Sequence, residues 1–194
     1  MSKLYFRYGA MNCGKSTALM QVAYNYEANN KKVCVIKSVI DTKGGDSLES
    51  RIGLTRKVDL LLKSGESLEK YYDKLKNVDC ILVDEAQFLE KERVDELFYI
   101  TKMFNVPVIC YGLRTDFRSE LFTGSKRLLE LADELEELIT ICRCGKRAKF
   151  NGRYVNDEFT LAGETVKIDG SDDVVKYVPL CGKCYLEEIE KRKN

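Results

Sequence analysis

Short apolar runs alternate with amphipathic stretches over residues 1–141, and this alternation predicts the architecture of that part of the chain. Most of the runs are continuous and rich in Val and Ile, which is typical of strands buried on both faces of a sheet. The predicted strands are residues 4–8, 33–36, 80–83, 106–111 and 138–142. Apolar positions at helical spacing predict helices at residues 17–27, 68–75, 91–103 and 125–137. The pattern therefore predicts an α/β domain with a mostly parallel sheet covered on both faces.

The pattern changes in two parts of the chain. Over residues 38–67 it weakens and several glycines interrupt it, so we predict a loop with short strands there. After residue 141, short alternating runs, glycines and paired cysteines predict β-hairpins instead of further strand–helix units. We therefore expect two domains, a larger α/β domain at residues 1–141 and a small β domain at residues 142–194.

Composition narrows the classes of function. The 194 residues are 44% hydrophobic and 32% charged, as in ordinary soluble globular proteins. A formal net charge of +1 gives no electrostatic reason to expect a nucleic-acid or membrane partner. No apolar run approaches the ~18–20 residues that span a bilayer, and the amino terminus lacks the apolar stretch of a signal peptide. We therefore expect a cytoplasmic protein.

A phosphate-binding motif follows the first predicted strand. Residues 9–16 match G-x-x-x-x-G-K-[ST] at each fixed position. The glycines let the backbone turn its N–H groups onto phosphates, and the following helix directs its positive dipole at them. Lys15 is expected to reach the β- and γ-phosphates, and Ser16 to bind Mg²⁺. The predicted nucleotide-binding residues of this loop are Gly9, Ala10, Met11, Asn12, Cys13, Gly14, Lys15, Ser16 and Thr17.

A second motif is an apolar strand that ends in two carboxylates, Asp84 and Glu85. In P-loop proteins an aspartate at such a strand end holds the Mg²⁺ shell. The chain contains no histidine, so a general base must be a carboxylate or another residue. Glu85 is placed to accept a proton from a hydroxyl nucleophile or to orient a water molecule. The alternative is a pair of solvated acids at the surface.

Four of the eight cysteines are spaced as metal ligands. Cys142 and Cys144 form a C-x-C pair, and Cys181 and Cys184 form a C-x-x-C pair. In a reducing compartment, four thiolates predict a closed tetrahedral zinc site with a structural role, without an open position for catalysis. Free cysteines or two disulfides are the alternatives.

These motifs, in this order and at this chain length, resemble the thymidine kinases of the cellular type II class in their bacterial form. The resemblance runs from Leu4 to Tyr185. It is carried by the glycine-rich loop with Met11, the run Asp84-Glu85-Ala86-Gln87-Phe88, residues 111–118 with Phe122 and Gly124, residues 50–54, and the four cysteines with C-x-C first.

The resemblance implies a P-loop core of recombinase-like type with a small zinc-ribbon-like β domain. It implies transfer of the γ-phosphate of ATP to the 5′-hydroxyl of thymidine, with Glu85 as the general base and Ser16 and Asp84 organising Mg²⁺. Asp84 and Gln87 would complete the nucleotide site. Thymidine would lie under a long loop, the lasso, which is held by the zinc site and includes residues 166–177. The implied substrate-binding residues are Met11, Phe88, Leu113, Phe117, Phe122, Ile168 and Tyr177.

The resemblance also implies a homotetramer that is inhibited by thymidine triphosphate. Two stretches depart from the family pattern. Asp41-Thr42-Lys43 stands where the family has Asp-x-Arg, and lysine lacks the planar fork of arginine. Residues 168–176 are longer than the short Ile-Gly-Gly stretch of the family.

Several alternatives stay open on the sequence alone. Phe117 and Phe122 are either core residues or, as their glycine-bounded loop favours, pocket residues. Arg118 either contacts phosphate or faces solvent. A zinc-containing, nucleic-acid-dependent P-loop ATPase is the alternative function, although the near-neutral charge disfavours it. A kinase for another nucleoside is a second alternative.

Overall fold

The computed structural model describes residues 1–39, 45–163 and 174–192. Its strands are β1 (Leu4–Gly9), β2 (Val33–Val39), β3 (Ser47–Glu49), β4 (Thr55–Lys57), β5 (Leu60–Lys63), β6 (Cys80–Asp84), β7 (Val108–Leu113), β8 (Glu134–Glu137), β9 (Thr140–Ile141), β10 (Arg147–Ala148), β11 (Phe150–Val155), β12 (Glu158–Phe159) and β13 (Val175–Leu180). Its helices are α1 (Lys15–Glu27), α2 (Tyr72–Leu75), α3 (Lys91–Met103), α4 (Thr123–Leu131) and α5 (Gly182–Lys191). Within the described ranges, no helix combines the length and the apolar character needed to cross a membrane.

One parallel sheet of six strands forms the centre of the molecule, in the order β5-β2-β6-β7-β1-β8. Every residue of β6 is buried, which explains why its sequence is continuously apolar instead of alternating. Because all six strands run in the same direction, the segments that follow β1, β6 and β7 meet at one edge of the sheet. The predicted mostly parallel α/β architecture is therefore confirmed.

Helices cover both faces of this sheet. Leu19 of α1 packs on one face in a cluster that includes Leu82 of β6. Leu97 of α3 and Leu128 of α4 pack on the other face in a cluster that includes Ile81. Neighbouring residues of β6 thus point to opposite faces, and each face buries its own apolar cluster. The rigid sheet fixes the positions from which the loops at its carboxyl edge extend.

The sequence was misleading at two strands of this domain. The helix predicted at residues 125–137 ends at Leu131, and Glu134–Glu137 forms the edge strand β8 beside β1. Three of its four residues are exposed, so no apolar alternation marks the strand, and backbone pairing alone defines it. The strand predicted at residues 138–142 is reduced to Thr140–Ile141, which pairs with β10 outside the main sheet. In the region predicted as a loop with short strands, residues 38–67, the short strand β5 pairs with β2 and belongs to the main sheet.

A small β unit follows the sheet. In it β11 pairs antiparallel with both β12 and β13, and α5 follows β13 directly. Leu180 and Tyr185 are buried in its own apolar cluster together with three of the cysteines. This cluster is distinct from the two clusters on the sheet. The hairpins predicted after residue 141 are present, and the domain boundary at residue 141 stays a prediction.

Candidate active site

The phosphate loop leaves β1 at Gly9 and enters α1 at Lys15. A Cβ atom added to Gly9 would lie 2.5 Å from the Cys13 sulfur and 2.6 Å from the Leu138 carbonyl oxygen, so only glycine fits there. Gly14 has a φ of +78°, which glycine adopts without strain, and α1 begins directly after it. The first N–H groups of a helix have no partner within the helix, so the start of α1 is suited to binding an anion.

Ser16 connects this loop to the end of β6. Its Oγ donates a hydrogen bond of 3.2 Å to Asp84 Oδ2, across the intervening strand β7. The Nζ of Lys15 donates to the Ala10 carbonyl at 3.2 Å, so the ammonium group lies over the loop. Asp84 is only 4% exposed, and burial, followed by the charge of Glu85, raises the pKa of its carboxyl. A divalent cation beside Asp84 would favour the ionised form.

Glu85 follows directly after β6 and has a φ of +52°. This left-handed conformation is uncommon for residues other than glycine, and such outliers cluster at functional sites. The side chain of Gln87, which is 1% exposed, donates from Nε2 to Glu85 Oε2 and accepts a 3.0 Å hydrogen bond from the Leu113 N–H. The sequence assigned Gln87 to the nucleotide site. The structure places its amide between Glu85 and Leu113, with a hydrogen bond to each.

The turn that carries these residues is held by the start of α4. A Cβ atom added to Gly124 would lie 2.4 Å from the Ala86 carbonyl oxygen and 2.8 Å from the Leu89 carbonyl oxygen. Ser125 Oγ donates to the Leu113 carbonyl at 2.5 Å. The glycine in the motif is therefore explained by close contact between α4 and the turn that follows Glu85.

The phosphate loop faces the tip of the β3–β4 hairpin across a cavity of about 290 Å³. Met11, Glu85 and Leu113 complete the walls of this cavity. The residues on the hairpin side are Glu49, Ser50, Arg51 and Ile52. The sequence indicated residues 50–54 only through a resemblance and did not place them at the site. A second cavity of about 240 Å³ lies beside the first, and Ser16, Asp84 and Glu85 contribute to its lining.

The predicted substrate-binding residues are distributed over several places. Met11 and Leu113 line the cavity that contains Glu85. Phe88 and Phe122 meet edge to face, with ring centroids 5.6 Å apart, and line a separate cavity of about 580 Å³. Tyr177 is half-buried in β13. Ile168, residues 41–43, and residues 168–173 of the longer stretch at 168–176 lie outside the described residues.

Phe117 is 1% exposed, and two guanidinium groups lie over its ring. Arg118 and Arg153 lie 4.8 Å and 4.9 Å from its ring centroid. Arg118 also donates to the carbonyls of Leu161, at 3.1 Å, and Gly163. Arg118 therefore has protein partners in the described part of the chain and is more than a solvent-facing residue, while a phosphate contact stays a prediction. It fixes the chain segment that leads into the predicted lasso.

The four grouped cysteines come together at the junction of β9, β10 and α5. Their sulfur atoms all lie within 4.8 Å of one another, and the sulfurs of Cys144 and Cys181 are 3.6 Å apart. Two of the four lie at the start of α5. Cys181 directly precedes the helix, and Cys184 lies in its first turn. The structure thus gathers two pairs that are far apart in sequence into one compact set of thiols.

The fold and the phosphate loop place the chain among the P-loop nucleotide-binding proteins. The family model described as thymidine kinase matches residues 2–185. The thymidine kinase of Mannheimia succiniciproducens is 41% identical over 203 residues, which cover 100% of both chains. That of Photorhabdus laumondii is 44% identical over 201 residues, covering 100% of this chain and 98% of the other. The chain belongs to the thymidine kinase family, as its motifs predicted.

Among solved structures, the AMPPCP-bound DnaA of Aquifex aeolicus matches with a TM-score of 0.45 and 19% identity. The match covers 71% of this chain and 41% of that chain. A similarity at this level adds nothing to the functional argument, which rests on the family and on the site.

Proposed function

We propose that this enzyme transfers the γ-phosphate of ATP to the 5′-hydroxyl of thymidine. The observation that carries the proposal is the position of Glu85, whose carboxylate lines the same cavity as Lys15 and Ser16. A hydroxyl nucleophile in this cavity lies beside both a proton acceptor, Glu85, and the phosphate loop. Membership of the thymidine kinase family supports thymidine as the molecule that provides the hydroxyl.

In the proposed in-line transfer, different residues have different roles. The N–H groups of the phosphate loop and Lys15 bind the triphosphate and stabilise negative charge as it develops. Glu85 accepts the 5′-hydroxyl proton while the oxygen bonds to the γ-phosphorus and the bond to the β-phosphate oxygen breaks. Met11 and Leu113 form the walls that position the nucleoside against Glu85. Positioning and electrostatic stabilisation supply most of the rate.

The residues around Asp84 fit Mg²⁺. Asp84 and Ser16 present a carboxylate and a hydroxyl to the cavity of about 240 Å³, and Mg²⁺ prefers oxygen ligands. Asp84 and Ser16 are the side chains that would hold Mg²⁺, which when bound would neutralise charge on the outer phosphates.

The four cysteines fit a structural zinc ion. Four Zn–S bonds of about 2.3 Å in a tetrahedron separate the sulfurs by about 3.8 Å, close to the 3.6 Å between Cys144 and Cys181. A disulfide would require about 2.05 Å. With four protein ligands the site would be closed, so its role would be to hold β9, β10 and α5 together.

Family membership supports three further proposals about the protein as a whole. We propose that it is cytoplasmic, that it assembles as a homotetramer, and that thymidine triphosphate inhibits it. Light scattering of the purified protein measures the assembly, and an activity assay with added thymidine triphosphate measures the inhibition.

A transfer assay with labelled ATP tests the central proposal. We expect labelled monophosphate from thymidine when it is offered beside deoxycytidine and deoxyuridine at the same concentration. If labelled product forms only from a nucleoside other than thymidine, the enzyme is a kinase for that nucleoside. ATP hydrolysis that DNA stimulates, with no labelled thymidine product, would support the nucleic-acid-dependent ATPase instead.

A separate prediction concerns the amide that orients Glu85. We expect Gln87→Leu to lower kcat roughly tenfold or more, because a misplaced catalytic group loses much of the advantage of proximity. The KM for ATP should stay nearly constant, since the hydrogen bonds of the Gln87 side chain run to Glu85 and to the Leu113 N–H and not to the phosphate loop. Steady-state kinetics with each substrate varied in turn measures both quantities. A kcat close to that of the unmodified enzyme would show that Glu85 needs no support from Gln87.

A further inference from the structure

One buried side chain of the small β unit reaches the phosphate loop. Asn151 of β11 is 3% exposed. Its Oδ1 accepts a 2.8 Å hydrogen bond from the Met11 N–H, and its Nδ2 donates to the Thr115 carbonyl at 3.1 Å. Met11 belongs to the phosphate loop, and Thr115 lies two residues beyond β7. Asn151 therefore joins three parts of the chain at one point.

The two partners of Asn151 require an amide between them. A backbone N–H only donates and a carbonyl only accepts, so the bridging side chain must offer one acceptor and one donor. The short amide of asparagine offers both. An apolar side chain of similar size would leave the buried Thr115 carbonyl and the partly buried Met11 N–H without this partner. A buried polar group without a partner is destabilising.

Of the two backbone groups that Asn151 holds, that of Met11 belongs to the lining of the reaction cavity, and that of Thr115 lies two residues beyond Leu113, which also lines it. Met11 lines that cavity on the side of the phosphate loop, and Leu113 lines it on the side of β7. In the proposed reaction, the relative position of Met11 and Leu113 sets how the phosphate loop faces the attacking hydroxyl. A further hydrogen bond of the same unit, from the Tyr185 hydroxyl to the Phe117 carbonyl at 2.6 Å, reaches only the β7 side.

We propose that Asn151 is a positioning residue that fixes the phosphate loop and the β7 wall relative to each other. The small β unit then does more than hold the predicted lasso. It takes part in aligning the phosphate donor with the acceptor through this single amide. The inference rests on the proposed function for its kinetic consequences, whereas the structural link itself can be measured without substrates.

Asn151→Leu tests the kinetic consequence in the full-length enzyme. We expect kcat to fall about 10- to 100-fold, the range expected when reacting groups are displaced by about 1 Å. The affinity for a non-hydrolysable ATP analogue without thymidine should stay within about threefold, because Lys15 and the helix amides are unchanged. Tyr154→Phe, on the same strand, is the matched control and should keep kcat within about twofold. A folded Asn151→Leu enzyme with the kcat of the control would overturn the proposal.

Hydrogen exchange of the Met11 amide, followed by NMR without substrates, tests the link directly. We expect exchange to be at least about tenfold faster in Asn151→Leu and unchanged in Tyr154→Phe. Equal exchange rates would overturn the proposal whatever the enzyme phosphorylates. Conversely, failure of the unmodified enzyme to phosphorylate thymidine would remove the function and leave this result standing. If Asn151→Leu does not fold, Asn151→Ser replaces it. Its shorter hydroxyl should give an intermediate exchange rate, and a rate equal to that of the control would also contradict the proposal.

Discussion

Glu85→Gln should lower kcat by roughly 10²–10⁴-fold, the range usual for loss of a general base. The amide has nearly the size of the carboxylate but cannot accept the proton of the attacking hydroxyl. ATP should still bind, because the phosphate loop, Lys15 and Ser16 are untouched by the substitution. The loss should therefore appear in kcat and not in the KM for ATP, as expected when an interaction is made only in the transition state.

Single-turnover transfer of labelled phosphate, together with equilibrium binding of ATP, measures the two parts of this prediction. Glu92→Gln makes the same chemical change at an exposed position at the start of α3 and serves as the control. A Glu85→Gln enzyme that turns over near the rate of this control would remove Glu85 from the mechanism. Loss of ATP binding would instead indicate that the left-handed turn at Glu85 supports the phosphate loop structurally.

The sequence predicts the catalytic edge of the sheet because the relevant signals are local. The phosphate loop is a short motif, and β6 is an apolar run that ends in two carboxylates, so burial and chemistry are both visible within a few residues. The edge strand β8 has no such signal. Its side chains are mostly exposed, and its identity depends on backbone pairing with β1, a segment more than a hundred residues away.

The lining of the site depends on long-range contacts that the hydrophobic pattern of the sequence does not predict. Asn151 bonds to Met11 across 140 positions of the chain, and the hairpin tip at Arg51 lies at the cavity only through the folded arrangement of the chain. Phe117 is another example, since the sequence favoured a pocket and the structure places its ring under the guanidinium groups of Arg118 and Arg153. Hydrophobic patterns predict which side chains are buried, but they do not identify the partner of a buried polar group.

Replacing one cysteine of the small β unit should strongly lower both the zinc content and the thermal stability of the enzyme. We expect about one zinc ion per chain in the purified enzyme, and Cys181→Ser should lose most of it. Zinc binding contributes about 10–16 kcal/mol in zinc-finger peptides, so a unit with only a small apolar cluster depends strongly on its metal. The variant should therefore melt at a lower temperature, as measured by calorimetry alongside metal analysis.

The kinetic consequence of Cys181→Ser follows from the contacts of α5. This helix begins at the cysteine pair, and its Tyr185 donates to the Phe117 carbonyl in the loop beyond β7. A loosened α5 should therefore raise the KM for thymidine more than the KM for ATP. Lys183→Ala changes an exposed residue between the same two cysteines and should retain both the metal and the kinetics. A metal-free enzyme with full activity would contradict the zinc assignment, whereas equal losses for both substrates would contradict the link through Tyr185.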